Sequence, residues 1–124
     1  MRYLGLTPYL CYEDAGAASN WLSSTFGFEE IDRFAEADGK VTNVTMRVGD
    51  SELWLDGQGG NSTPEGNQCD TWTMVWVDDV NDLHKRVTHA GVECVGPMDR
   101  PWGVREVQVR DPQGFNWGFI QRLA

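Results

Sequence analysis

One pattern written twice constrains this chain more than any other feature. "YEDAGAASNWLSSTFGFEEI" (Tyr12 to Ile31) and "VDDVNDLHKRVTHAGVECV" (Val77 to Val95) share one grammar. Each has an aspartate at a helix start, an apolar helical face, a glycine stop and then strand residues. Asp79 lies 65 positions after Asp14, and Gly91 lies 64 after Gly27. A duplicated unit of this length points to two similar modules. In the first helix Ala17, Ala18, Trp21, Leu22 and Thr25 are expected on the inner face. In the second, Val80, Leu83, Val87 and Ala90 take that role.

The flanking stretches alternate with period two, as half-buried strands do. "MRYLGLTPYLCY" reads as a first strand. "EEIDRFAEAD", a Gly39-Lys40 turn, "VTNVTMRV", a Gly49-Asp50 turn and "SELWLDG" complete the first module. "TWTMVWV", the helix, "VECVGPM", "REVQVR" and "FNWGFIQ" make the second. Each half is therefore strand–helix–strand–strand–strand. The modules span 1–58 and 69–124 of a single domain, and the polar, glycine-rich stretch 59–68 links them.

A helix covers only one side of its sheet, which leaves the other side free to line a cavity. Val44, Met46, Val48, Leu53, Leu55, Thr73, Val75 and Val77 suit the helix side. Arg47, Glu52, Trp54, Trp72, Met74 and Trp76 take the other side, with Gly118. A glycine in the middle of a strand marks a bulge or a close approach by another group.

Composition excludes several functions. A net charge of -9 argues against nucleic acid, whose phosphates need a basic face, and against anionic membranes. No apolar run is long enough for a membrane span. The N-terminus lacks the features of a signal peptide, so a cytoplasmic protein is expected. Cys11, Cys69 and Cys94 are odd in number and form no CxxC pair, so reduced thiols are expected.

The stretches "LTPYLCYEDAGAASNWLSSTFGFEE" and "RPWGVREVQVRDPQGFNWGF" resemble the vicinal oxygen chelate superfamily: glyoxalase I, bleomycin-resistance proteins and extradiol dioxygenases. The "FGF" helix exit, the "VDDV" helix start and the "RDPQG" turn carry the likeness, together with the duplication. The resemblance implies an α+β fold, two βαβββ modules pairing into a curved mixed β-sheet around a cleft. It also implies a homodimer, which the open sheet edges make physically sensible.

In the family's enzymes, four side chains from the first and last strands of the modules hold a divalent metal. The matching positions here are Thr7, Trp54, Trp72 and Gly118, none of which is an ordinary metal ligand. Gly118 stands where a carboxylate would sit, and Trp54, its partner in the repeat, is available to fill the volume. No cofactor is therefore expected. Glu52 is the candidate for a displaced metal ligand. His84 and His89 read as solvated residues of the second helix.

The expected ligand site uses Tyr9, Arg47, Trp54, Trp72, Trp76, Trp102, Asn116 and Gly118. Tryptophans supply planar apolar surface, while the polar groups fix orientation. Trp102 sits in "DRPWGVRE", a loop that bleomycin-binding members carry beside their ligand groove. Glu106 is the candidate general base, should one be needed. The leading expectation is a binder of a small aromatic or cationic molecule, acting by drug sequestration or metabolite binding. Cation–π contact and the acidic field would favour a cation. The alternatives are a metal-dependent glyoxalase-like lyase or dioxygenase with displaced ligands, and a structural module with a filled cavity.

Overall fold

The computed structural model describes residues 1–57 and 71–124. The expected linker 59–68 and Cys69 lie outside the described residues. The chain divides into two compact units, Met1–Thr63 and Pro64–Ala124. The first holds β1 (Tyr9–Cys11), α1 (Ala15–Phe26), β2 (Glu29–Ala35), β3 (Val41–Val48) and β4 (Ser51–Asp56). The second holds β5 (Trp72–Trp76), α2 (Val80–His89), β6 (Cys94–Arg100), β7 (Val104–Arg110) and β8 (Asn116–Arg122).

Each unit is one four-stranded mixed sheet with its helix on one face. The strand orders are β1-β4-β3-β2 and β5-β8-β7-β6. The first strand runs parallel to the last, and the other pairings are antiparallel. This is the repeat expected from the sequence, strand for strand.

Both helices start on an aspartate. The Asp14 side chain accepts from the Ala17 N–H at 2.9 Å, and the Asp79 side chain from the Asp82 N–H at 3.1 Å. Gly27 ends α1 in the left-handed region at φ 81°, its N–H bonded to the Ser23 carbonyl.

The inner stripe of α1 departs from expectation. Ala15, Ser19, Leu22 and Phe26 are buried along it, while Ala17 is exposed and Ala18 and Trp21 are half-buried. A serine goes inside because its hydroxyl donates to Glu30 Oε1 at 2.7 Å, so burial leaves no polar group unmet. Trp21 stays at the margin, edge-on to Phe26. In α2, Val80, Leu83 and Val87 are buried as expected, but Ala90 caps the helix end and is exposed.

The first strand is also shorter than expected. Regular pairing starts at Tyr9, so Thr7 precedes β1. Pro8 has no N–H to extend the ladder, although its carbonyl accepts from the Trp54 N–H at 3.0 Å.

Candidate functional site

In both units the strand alternation sorts side chains as the sequence implies. Val44, Met46, Leu53 and Leu55 are buried on the helix side of the first sheet. Val107, Val109, Trp117 and Phe119 are buried on that side of the second.

The other face of the first sheet carries Tyr9, Asn43, Thr45, Arg47, Glu52 and Trp54. Tyr9 and Trp54 lie directly across β1 and β4 and meet edge to face at 5.8 Å. Both are anchored by polar contacts. Asn43 Nδ2 donates to the Tyr9 hydroxyl at 3.0 Å, and Trp54 Nε1 donates to Glu52 Oε1 at 2.8 Å. Arg47 lies in register with Glu29 and Glu52 but joins no ion pair among the described residues. This face is an aromatic pair rimmed by carboxylate.

The corresponding face of the second sheet carries a row of three large apolar side chains. Trp72, Met74 and Trp76 are 41%, 43% and 55% exposed, and they stand in register with Asn116, Gly118 and Ile120. Single exposed apolar side chains are ordinary, but a contiguous row of large ones is not. On β7, Arg110, Gln108 and Glu106 continue the rows. A groove of about 410 Å³ opens beside Trp72, lined also by Cys94, Val95, Gln108, Arg110 and Asn116. That volume lies within the range of small-molecule pockets. Burial pushes the Cys94 thiol above its ordinary pKa, which keeps it protonated at the groove wall.

Asn116 is itself buried. Its amide donates to the Thr71 carbonyl at 3.2 Å and accepts from Arg110 Nε at 3.3 Å. It thus anchors the start of β8 and orients Arg110. Glu106 is buried too, accepting from Gln108 Nε2 and facing Arg100 Nε at 3.5 Å. Trp102, in the β6–β7 hairpin, is exposed beneath the Arg100 guanidinium.

Gly118 has a local explanation. A Cβ there would lie 2.6 Å from both Sδ and Cε of Met74. The volume is taken by the neighbouring strand's methionine within the same unit. Trp54 was expected to fill it, and that expectation is corrected. The sequence places Met74 on this face but gives no sign that it would lie across Gly118.

Thr7, Trp54, Trp72 and Gly118 are the positions that the resemblance aligns with the family's metal ligands. They offer a hydroxyl, two indoles and no side chain at all. Among the described residues no three His, Cys, Asp or Glu side chains gather as a metal site requires. The Glu52 carboxylate is engaged by Trp54.

Gln108 and Ile120 lie on the second face, where alternation puts them, and Arg100 and Arg122, which complete it, were not singled out from the sequence. Carrying the alternation through to the strand ends would have found them. No helix among the described residues is long and apolar enough to cross a membrane.

Comparison with known proteins agrees with this architecture. Residues 5–119 match the model of the Glyoxalase/Bleomycin resistance protein/Dioxygenase superfamily. An uncharacterized protein of Mycobacterium bovis is 30% identical over 94% of this chain and 82% of its own length. The crystal structure of TioX from Micromonospora sp. ML1 superposes with a TM-score of 0.80 at 31% identity, covering 98% of this chain and 100% of that one. TnmS3, an antibiotic binding protein from Streptomyces sp. CB03234, superposes at 0.77 with 21% identity, covering 98% of each chain.

Proposed function

The chain belongs to the Glyoxalase/Bleomycin resistance protein/Dioxygenase superfamily, and we propose that it acts there as a metal-independent binder of a small aromatic molecule. The exposed row of Trp72, Met74 and Trp76 carries the reading. Indoles held at an open surface beside a groove of drug-like volume supply stacking area, and Gln108, Arg110 and Asn116 supply orientation. Trp54, fixed by Glu52 and Tyr9, offers a second stacking surface whose carboxylate suits a cationic group. The fold serves antibiotic binding in TnmS3, and drug sequestration is the corresponding role here.

A homodimer in the cytoplasm is part of the same proposal. β2 and β6 are sheet edges that carry the exposed apolar residues Ile31, Phe34 and Val95, and covering such edges favours pairing with a second copy. The free thiols of Cys11 and Cys94 suit a reducing compartment. Analytical ultracentrifugation tests the dimer: a monomer at micromolar concentration would remove that element.

The binding reading is tested with a neutral planar probe, 9-anthracenemethanol, followed by its fluorescence anisotropy. Saturable binding is expected, weakened roughly five- to tenfold by Trp72→Ala, since stacking adds about 0.5–1.5 kcal/mol beyond area burial. Binding untouched by both Trp72→Ala and Trp54→Ala would sink the assignment.

A further inference from the structure

We propose that the far end of the second sheet's open face is an oxyanion subsite. It would take the carboxylate, sulfonate or phosphonate of an aromatic ligand between Arg100 and Arg122. The inference rests on the binding proposed above and adds the ligand's charge.

The register sets the two arginines. Val104 pairs with Arg100 on one side and Arg122 on the other, so the three residues form one row across β6, β7 and β8. Strand spacing places the two arginine Cα atoms about 10 Å apart. Both side chains rise on the open face. Arg122 lies over the Trp76 ring at 4.5 Å, and Arg100 lies over the Trp102 ring at 5.6 Å while facing Glu106.

These two guanidiniums differ from others in the chain. Arg33 spends its donors on Glu30, Arg105 on Asp99, and Arg110 donates to Asn116. Among the described residues, Arg122 joins no ion pair, and Arg100 pairs with Glu106 at 3.5 Å while its buried Nε has no hydrogen-bond partner. A shielded N–H without an acceptor is costly, and such groups are rare in native structures. The two indoles hold the guanidiniums in place without using their hydrogen-bonding edges. A guanidinium so oriented presents a fork that matches an oxyanion bidentately. Among the described residues this face carries Arg100, Arg110 and Arg122 against Glu106, with Glu93 at the groove wall, on a chain of net charge -9. Trp72 and Met74, exposed further along the same face, provide the platform for the ligand's ring.

The test uses a matched pair of probes, 9-anthracenecarboxylate and 9-anthracenemethanol, at about 150 mM salt, where the long-range field is largely screened. With the native chain, the carboxylate should bind roughly tenfold tighter, as charge-assisted hydrogen bonds allow. Arg122→Gln should erase that preference, bringing the two probes to equal affinity. Arg122→Lys, which keeps the charge but loses the fork, should retain only part of it. Equal affinities in the native chain, or a preference that survives Arg122→Gln, would overturn the subsite while leaving aromatic binding intact. Failure of both probes to bind would overturn the subsite and the binding reading together.

Discussion

Asp111 is the residue whose replacement should disturb the second sheet most for the smallest change in shape. It lies between β7 and β8 and is only 4% exposed. Oδ1 accepts from the backbone N–H groups of Gln113, Gly114 and Phe115 at 3.1, 3.0 and 3.0 Å. Oδ2 accepts from the buried Trp117 indole N–H at 3.1 Å. One carboxylate therefore both closes the turn and ties it to the core. Asp111→Asn keeps the volume and the three turn bonds, but it aims an amide N–H at the indole N–H. The loss is one charge-assisted bond plus an unmet buried donor, about 2–3 kcal/mol. Asp111→Ala removes all four acceptor contacts and should cost about 3–5 kcal/mol. Urea unfolding followed by tryptophan fluorescence measures both. The Trp117→Phe background separates the causes, because it lacks the indole donor. There the added cost of Asp111→Asn should fall to about 0.5 kcal/mol or less. Additive losses in the double variant, or an Asp111→Asn protein as stable as the native one, would refute this account of the turn.

Three further outcomes are expected. Gly96→Ala should destabilise by several kcal/mol, because Gly96 has φ 100° and its Cβ would lie 2.5 Å from the Glu106 carbonyl oxygen. Gly118→Ala should cost less than about 1 kcal/mol, since only the end of the Met74 side chain must move; paired thermal melts compare the two. Asp14→Ala and Asp79→Ala should each cost about 1 kcal/mol in urea unfolding through loss of a helix cap. The Arg33 hydrogen bond, aided by Ser19 and opposed by burial, lowers the Glu30 pKa below its ordinary value. That contribution to stability is present above the unfolded-state value of about 4.3 and is lost as pH falls through the lower folded value. Glu30→Gln should therefore cost about 0.5–1 kcal/mol at pH 7, given the solvent screening at this exposed pair, and nothing once the carboxylate is protonated. Urea titrations at a series of pH values check it.

The fold was legible because its signals are local and repeated. Asp14 and Asp79 each cap a helix, Gly27 ends one in the left-handed region, and strict alternation in β3, β4, β5 and β8 assigns each side chain to a face. Errors arose where a partner distant in sequence decided burial. Ser19 goes inward because Glu30 waits for its hydroxyl, and nothing in the α1 sequence announces that. Gly118 was read at a vacated ligand position, and the reach of Met74 across it was not foreseen, because periodicity does not specify thioether rotamers. Asn116 was singled out as a ligand handle. Its amide is also bonded to Thr71 beside β5 and to Arg110 across the antiparallel β7–β8 pair, contacts that only the strand register creates.

Charge shows the same division between global and local information. A net charge of -9 sets a long-range field that favours cations, and the sequence alone supports no finer statement. That field is screened beyond about 8 Å at physiological ionic strength. Within that distance, a ligand on the second sheet meets what the register has assembled. Arg100, Arg110 and Arg122 stand on one face with Glu106, and Glu93 borders the groove beside Trp72; Asp99 is held by Arg105, and Asp111 is turned into its own hairpin. The first sheet has the opposite balance, with Glu52 bonded beside Trp54 and Asp56 next along β4. Alternation places acidic and basic residues on different faces, so a strongly acidic chain can carry a locally basic surface. The local charge that a ligand would meet therefore follows from the strand register, not from the composition.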